Sequence, residues 1–210
     1  MTKTFVFLLF LWIVGCSESA WGQTNEAVIR WLSKISYVAF WNRHLQFQSV
    51  DWDAWEKEGK EIRNAEQTLC RLLQDDNPDV ELPLVAYALG QVGSRESVPI
   101  LMEALTHSDV HVRLQSAIAL GCLRDKRAIP AFANLLEVET DENVRINAVL
   151  AVADIGGSES IEVLKMALND KSGFVSSIAR DALGVMRVKG TDSMKEQPSP
   201  EIWELRGQTP

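Results

Sequence analysis

A tripeptide that returns at a near-constant interval constrains this chain more than any other feature. Ala88-Leu89-Gly90 recurs as Ala119-Leu120-Gly121, then as Ala151-Val152-Ala153, then as Ala182-Leu183-Gly184, at steps of 31, 32 and 31 residues. Other columns keep the same register. Val98 aligns with Ile129 and Ile161, Leu105 with Leu136 and Leu168, and the small residues Ser97, Ala128 and Ser160 with one another. Val112-Arg113 aligns with Val144-Arg145, and Val175 holds the valine place in the fourth copy. A period of this length marks one supersecondary unit repeated in series.

Each unit reads as two helices. In the second, Val110, Val112, Ala117, Ala119, Leu120 and Leu123 suit one buried side of a helix, and Arg124-Asp125-Lys126-Arg127 forms a polar turn. Ile129, Phe132, Leu135 and Leu136 then recur at helical spacing. Pro99 and Pro130 stand one period apart, in a first turn where a missing N–H costs nothing. Ser108-Asp109 and Thr140-Asp141 precede helices and are expected to cap them. The alanine columns let helices approach closely. The glycine that follows is expected to end the first helix of each unit in a left-handed conformation. Such a unit cannot bury its apolar face alone, so the predicted fold is all-α, an α-solenoid of stacked helical hairpins.

These residues resemble the short HEAT-like repeat of the phycobilisome-lyase type. Its pattern of an acid, Val-Arg, Ala-Leu-Gly and a glycine–acid turn is nearly met by Asp109, Val112-Arg113, Ala119-Leu120-Gly121 and Asp125. The resemblance covers roughly residues 79–187, and the tetratricopeptide and ankyrin signatures are absent. In the first unit Glu81-Leu82 replaces Val-Arg and Pro83 falls inside the expected helix, which should therefore start late or kink.

The flanks differ in composition. Lys3 and the apolar run from Phe5 to Val14 read as an export signal, too short to span a bilayer. Ile13-Val14-Gly15-Cys16 resembles a bacterial lipobox with Cys16 as the lipid attachment residue, while Ala20-Trp21-Gly22 suits ordinary signal cleavage. The lipobox is favoured, because a cysteine directly after the apolar run is uncommon otherwise. The resulting layout is a signal over 1–22, an aromatic-rich N-terminal helical cap over 23–78, the repeat solenoid over 79–187 and a flexible tail over 188–210. Helices are expected over 25–48 and 51–74. Seven of the 16 aromatics lie between 31 and 55, including Trp31, Trp41, Trp52 and Trp55, which are expected to be buried as the cap. Ile202-Trp203-Glu204-Leu205 is an apolar island in the tail.

A net charge of −8 argues against non-specific nucleic-acid binding. Three cysteines, at 16, 70 and 122, are too few and too scattered for a disulfide framework or a zinc finger. Cys70 and Cys122 read as buried free thiols. His107 and His111 have the spacing of a helical metal pair, but no further ligand accompanies them, and they read as surface residues. No His-Glu dipeptide occurs, so the iron motif of deoxyhypusine hydroxylase, a HEAT-repeat enzyme, is missing. No metal, cofactor or catalytic residue is expected.

Asp109/Arg113 and Asp141/Arg145 read as i, i+4 pairs with a structural role in the repeat, able also to bridge to the adjoining unit. Met102, Glu103, Asn134, Glu137, Lys165 and Met166 are the exposed candidates for interaction on the second helices, which line the concave face in many solenoids. The functional expectation is an exported scaffold that binds another, envelope-associated protein and catalyses nothing. Its membrane contact would run only through the N-terminal signal or lipid. The alternative implied by the resemblance is a bilin-lyase-like enzyme or lyase accessory, which would attach or detach a chromophore on phycobiliproteins. Those partners are cytoplasmic, which weighs against it for a chain with an export signal.

Overall fold

A computed structural model describes residues 20–34, 51–62, 64–76 and 80–189. Side chains are described from residue 26 to residue 186 within these segments, Trp52 excepted. Cys16, His44, Trp41 and the 202–205 island lie outside the described residues. The described residues form ten α-helices and a 3-10 turn, with no strand among them. The helices are α1 (Ala20–Leu32), α2 (Trp52–Glu61), α3 (Ala65–Gln74), α4 (Leu82–Val92), α5 (Val98–Ala104), α6 (Val110–Leu123), α7 (Ile129–Val138), α8 (Glu142–Ile155), α9 (Ser158–Ala167) and α10 (Gly173–Lys189). The first helices of the units pack side by side in the order α4, α6, α8, α10, and the second helices α5, α7 and α9 lie against the first helix of the next unit, α6, α8 and α10 in turn. The expected α-solenoid is the observed fold.

The alanine columns explain the closeness of the first row. Ala88, Ala117, Ala119, Ala148, Ala151 and Ala179 are all buried. A Cβ added at Gly90 would stand 2.9 Å from Ala119 Cα, so α4 and α6 touch almost backbone to backbone. The period is also written in hydrogen bonds. Tyr87 Oη donates to Glu56 Oε1 at 3.1 Å, 31 residues back. Ser97 Oγ donates to Glu66, also 31 residues back. Arg127 Nη2 donates to the Arg95 carbonyl at 2.6 Å, 32 residues back. Side chains about one period apart thus hold successive layers together directly, from the N-terminal helices into the units, as stacking in series requires.

Several local expectations are met. Pro83, Pro99 and Pro130 occupy the first or second position of their helices, so α4 starts late and does not kink. Asp109 accepts the His111 N–H and Asp141 the Val144 N–H, capping α6 and α8.

Two differ. The glycine column does not end the helices. Gly90 and Gly121 lie inside α4 and α6, and α6 closes on Arg124, three residues after Gly121, in the left-handed region at φ 51°. Gly90 is needed for close packing instead. The single helix expected over 51–74 is two helices, broken where Ile62 is extended and Asn64 is left-handed at φ 57°. The break lets α3 turn back and pack against α4 and α5. Before it, the Trp31 indole lies across Gly59, where any Cβ would stand 2.1 Å from the ring.

Candidate functional site

Two arginines tie the turns of the row. The Arg113 guanidinium meets Glu139 through Nε at 2.6 Å and Nη2 at 3.0 Å, and its Nη1 donates to the carbonyls of His107 and Ser108. One period later Arg145 repeats the geometry on Asp170 at 2.9 and 3.2 Å, with Nη1 on the carbonyls of Glu139 and Thr140. The expected pairs with Asp109 and Asp141 are therefore corrected. Those carboxylates are occupied by backbone N–H groups at the helix starts. The arginines reach instead to the acid that follows the second helix of their own unit, where it meets the next unit.

The acids are bound on two sides. Glu139 Oε1 also accepts the backbone N–H groups of Thr140 and Asp141, and Asp170 Oδ1 accepts that of Ser172. Burial alone pushes both carboxyls up, but the facing arginine and these N–H groups outweigh it and hold both below the ordinary range. The hydrogen bond to Glu139 raises Arg113 further above its usual value. Asp125, in the turn of the second unit, is drawn down to about 2 by hydrogen bonds from the Arg127 side chain and backbone.

Beside the Arg145–Asp170 clamp opens a groove of about 230 Å³. Leu136, Glu137, Met166, Ala167, Asn169 and Lys171 line it. The exposed large apolar side chains among the described residues gather near it in sequence: Val138 is 76% exposed, Phe174 49% and Met166 45%. Of the six interaction candidates, the structure brings Glu137 and Met166 together here. Glu103, Asn134 and Lys165 are exposed elsewhere on the second helices. Met102 is corrected: it is half-buried and packs on the core. Asn169, Lys171 and Phe174 escaped the sequence reading because they lie beyond α9, in the turn and the start of α10, outside the helix stripe searched.

The remaining candidates also settle into place. His107 is not a free surface residue. Its Nδ1 accepts the Asp109 N–H at 3.0 Å and its Nε2 lies 3.3 Å from Asp76 Oδ1. Both ring nitrogens are engaged, which does not suit a metal ligand. Cys70 and Cys122 are half-buried and form no disulfide, less enclosed than expected. Burial pushes the Cys70 thiol up, and its Sγ lies 3.8 Å from Ser97 Oγ, whose proton is directed to Glu66. A raised thiol without a base is a poor nucleophile.

The stacked hairpins and arginine clamps define the class as an α-solenoid repeat protein. The family model for HEAT repeats matches residues 66–142 and 112–184. Together these matches cover more than half of the chain, which belongs to the HEAT-repeat family. Among curated proteins, phycocyanobilin lyase subunit alpha of Nostoc sp. (strain PCC 7120) is 32% identical over 136 residues, which is 57% of this chain and 49% of the relative. Deoxyhypusine hydroxylase of Cryptococcus neoformans is 32% identical over 101 residues, covering 47% of this chain and 28% of that protein. The chain thus spans about half, or less, of the curated relatives it matches. Among solved structures, the complex of CpcE and CpcF of phycocyanin lyase from Nostoc sp. PCC7120 superposes with a TM-score of 0.50 at 24% identity, over 70% of this chain and 65% of that one. At that identity the likeness shows the fold.

These matches correct two expectations. A chain without any enzymatic connection is not what they indicate, because both curated relatives are named as an enzyme or an enzyme subunit. The likeness to deoxyhypusine hydroxylase, discounted for want of a His-Glu dipeptide, does exist over 101 residues, although the dipeptide is absent.

Proposed function

We propose that this chain is a lyase-related HEAT-repeat subunit that seats a partner protein for chemistry on a chromophore of the bilin class. The observation that carries the reading is the 32% identity to phycocyanobilin lyase subunit alpha across 136 residues. The groove beside Arg145 and Asp170 supplies the seat. Met166, Leu136 and the neighbouring Val138 offer apolar contact, and Glu137 and Lys171 offer charges of both signs at its rim. The clamp beneath keeps that seat rigid. The test is titration of phycocyanobilin and apo-phycocyanin, singly and together, into the purified chain, read by bilin absorbance and covalent attachment. Complex formation that Met166→Glu weakens supports the reading. No complex and no attachment at micromolar concentration would sink it.

A second reading concerns place rather than chemistry. Lys3, the apolar run over 5–14 and Cys16 support export with a lipid anchor, and an exported chain would meet its partner in the cell envelope. Cys16→Ser should release such a chain from the membrane fraction. Unchanged fractionation rejects the anchor.

A further inference from the structure

We propose that the edge formed by the turns within the first two units binds an extended acidic segment of a partner protein. This inference does not rest on the lyase reading, and it concerns a surface apart from the groove. Arg95, Arg124, Lys126 and Arg127 gather on this edge of a chain whose net charge is −8. Their assembly is structural: Arg127 Nη2 donates to the Arg95 carbonyl at 2.6 Å, and Arg95 Nε lies 3.7 Å from Asp125 Oδ2. Asp125 is buried beneath them and spent on Arg127. The Arg95 side chain is 86% exposed, and Arg124 and Lys126 are exposed as well. Lys126 extends toward the third unit, with its Nζ 3.2 Å from where a Gly157 Cβ would stand. Three other acids lie nearby, and Glu66 is taken up by Ser94 and Ser97. Glu159 is engaged by its own backbone N–H and by Ser158 and also attracts Lys126, and Glu96 sits next to Arg95 in the turn.

Arg124 supplies the second, independent observation. It closes α6 at φ 51° and ψ 36°, in the left-handed region, while 32 residues later Gly156 closes α8 at φ 68° and ψ −175°, a different positive-φ conformation that is glycine's own. The left-handed region disfavours a side chain such as this and suits glycine. The other non-glycine residues at positive φ among the described residues are Asn64 and Asp76, which tolerate it. A cation therefore stands where the next unit uses glycine, at a cost in stability, and such strain points to a function for the side chain. Arg95 and Arg127 both approach Asp125 Oδ2, whereas Lys126 reaches to Gly157 of the third unit, so the cations extend along the edge from the first turn to the third. Neighbouring helices lie about 8–10 Å apart, so a chain in the polyproline-II conformation, with three residues per turn rising about 3.1 Å each, brings every third side chain to a successive turn. That spacing fits carboxylates on a peptide better than a single phosphate. A basic patch confined to a few turns of an acidic chain suits a short acidic peptide better than the long polyanionic surface of a nucleic acid or a membrane, which would also meet the acidic remainder.

The test uses the full chain and a fluorescein-labelled peptide with glutamate at every third position, read by anisotropy at about 50 and about 200 mM NaCl. Salt-sensitive binding is expected, with Arg124→Gly weakening it about fivefold while Tm stays level or rises. Arg95→Gln combined with Lys126→Gln should weaken it further. Four results would overturn the proposal: no binding at the lower salt, Arg124→Gly binding within roughly twofold of the parent, a lower Tm on Arg124→Gly, or capture of phosphatidylglycerol vesicles in place of the peptide.

Discussion

Trp31 and Trp55 hold each other by reciprocal hydrogen bonds. Trp31 Nε1 donates to the Trp55 carbonyl at 2.7 Å, and Trp55 Nε1 donates to the Trp31 carbonyl at 3.1 Å. Their rings stack at a centroid distance of 4.2 Å, and Tyr87 of α4 lies 5.9 Å beyond Trp55. The pair fastens α1 and α2 to the first unit of the row. Trp31→Ala should destabilise the chain by about 3–5 kcal/mol, seen as a fall in Tm of roughly 10 °C. Trp55→Phe keeps a ring but loses one donor, so its loss should be nearer 1–3 kcal/mol. Thermal melts followed by circular dichroism decide between them. Equal losses would mean that the hydrogen bonds contribute nothing.

The two clamps should differ in strength. The Arg145 and Asp170 side chains are almost fully enclosed, whereas Arg113 keeps more contact with water. Arg145→Ala leaves Asp170 buried and unpaired, which should cost about 3–5 kcal/mol in urea denaturation. The double change Arg145→Met with Asp170→Leu should cost less, because no charge is stranded. Arg113→Ala should fall between them and leave capture of a partner unchanged. Lost capture at an unaltered urea midpoint would assign Arg113 to recognition.

One column of glycines predicts opposite signs. Alanine ordinarily favours a helix over glycine by about 1 kcal/mol. At Gly90 the new methyl would press on the Ala119 backbone at 2.9 Å, so Gly90→Ala should destabilise by about 1 kcal/mol or more. At Gly184 nothing lies within 4 Å, and Gly184→Ala should stabilise by up to about 1 kcal/mol. Matching signs in a pair of melts would deny the close contact of α4 and α6.

Acid should loosen the row through its turns. Asp125, Glu139 and Asp170 all have carboxyls held below their ordinary values. The stability that they contribute is complete above the unfolded carboxylate pKa, near 4, and is lost as pH falls through their folded values. For Asp125 that loss extends down to about 2. Urea midpoints taken from about pH 6 to about pH 2.5 should therefore be level at first and drop below about pH 4. In Asp125→Asn the lowest part of that drop should shrink. A profile with the parent's shape would remove Asp125 from the account.

The repeat architecture was legible before any coordinates. Its period, alanine columns, prolines and capping aspartates act within one helix or between identical neighbours, so their spacing along the chain carries the information. Tertiary packing decided the rest. Arg113 and Arg145 have an acid at i−4, yet they choose Glu139 and Asp170, because the nearer carboxylates are already held by helix N–H groups and the farther ones arrive when the next unit stacks. The break at Ile62–Asn64 lacks a proline and follows from α3 finding α4 and α5 to pack on. The groove at Met166 and the cationic edge at Arg124 join residues of different units. Local patterning thus determined what each hairpin is, and only the stacking of one hairpin on the next, through burial and charge pairing between units, decided which side chains meet.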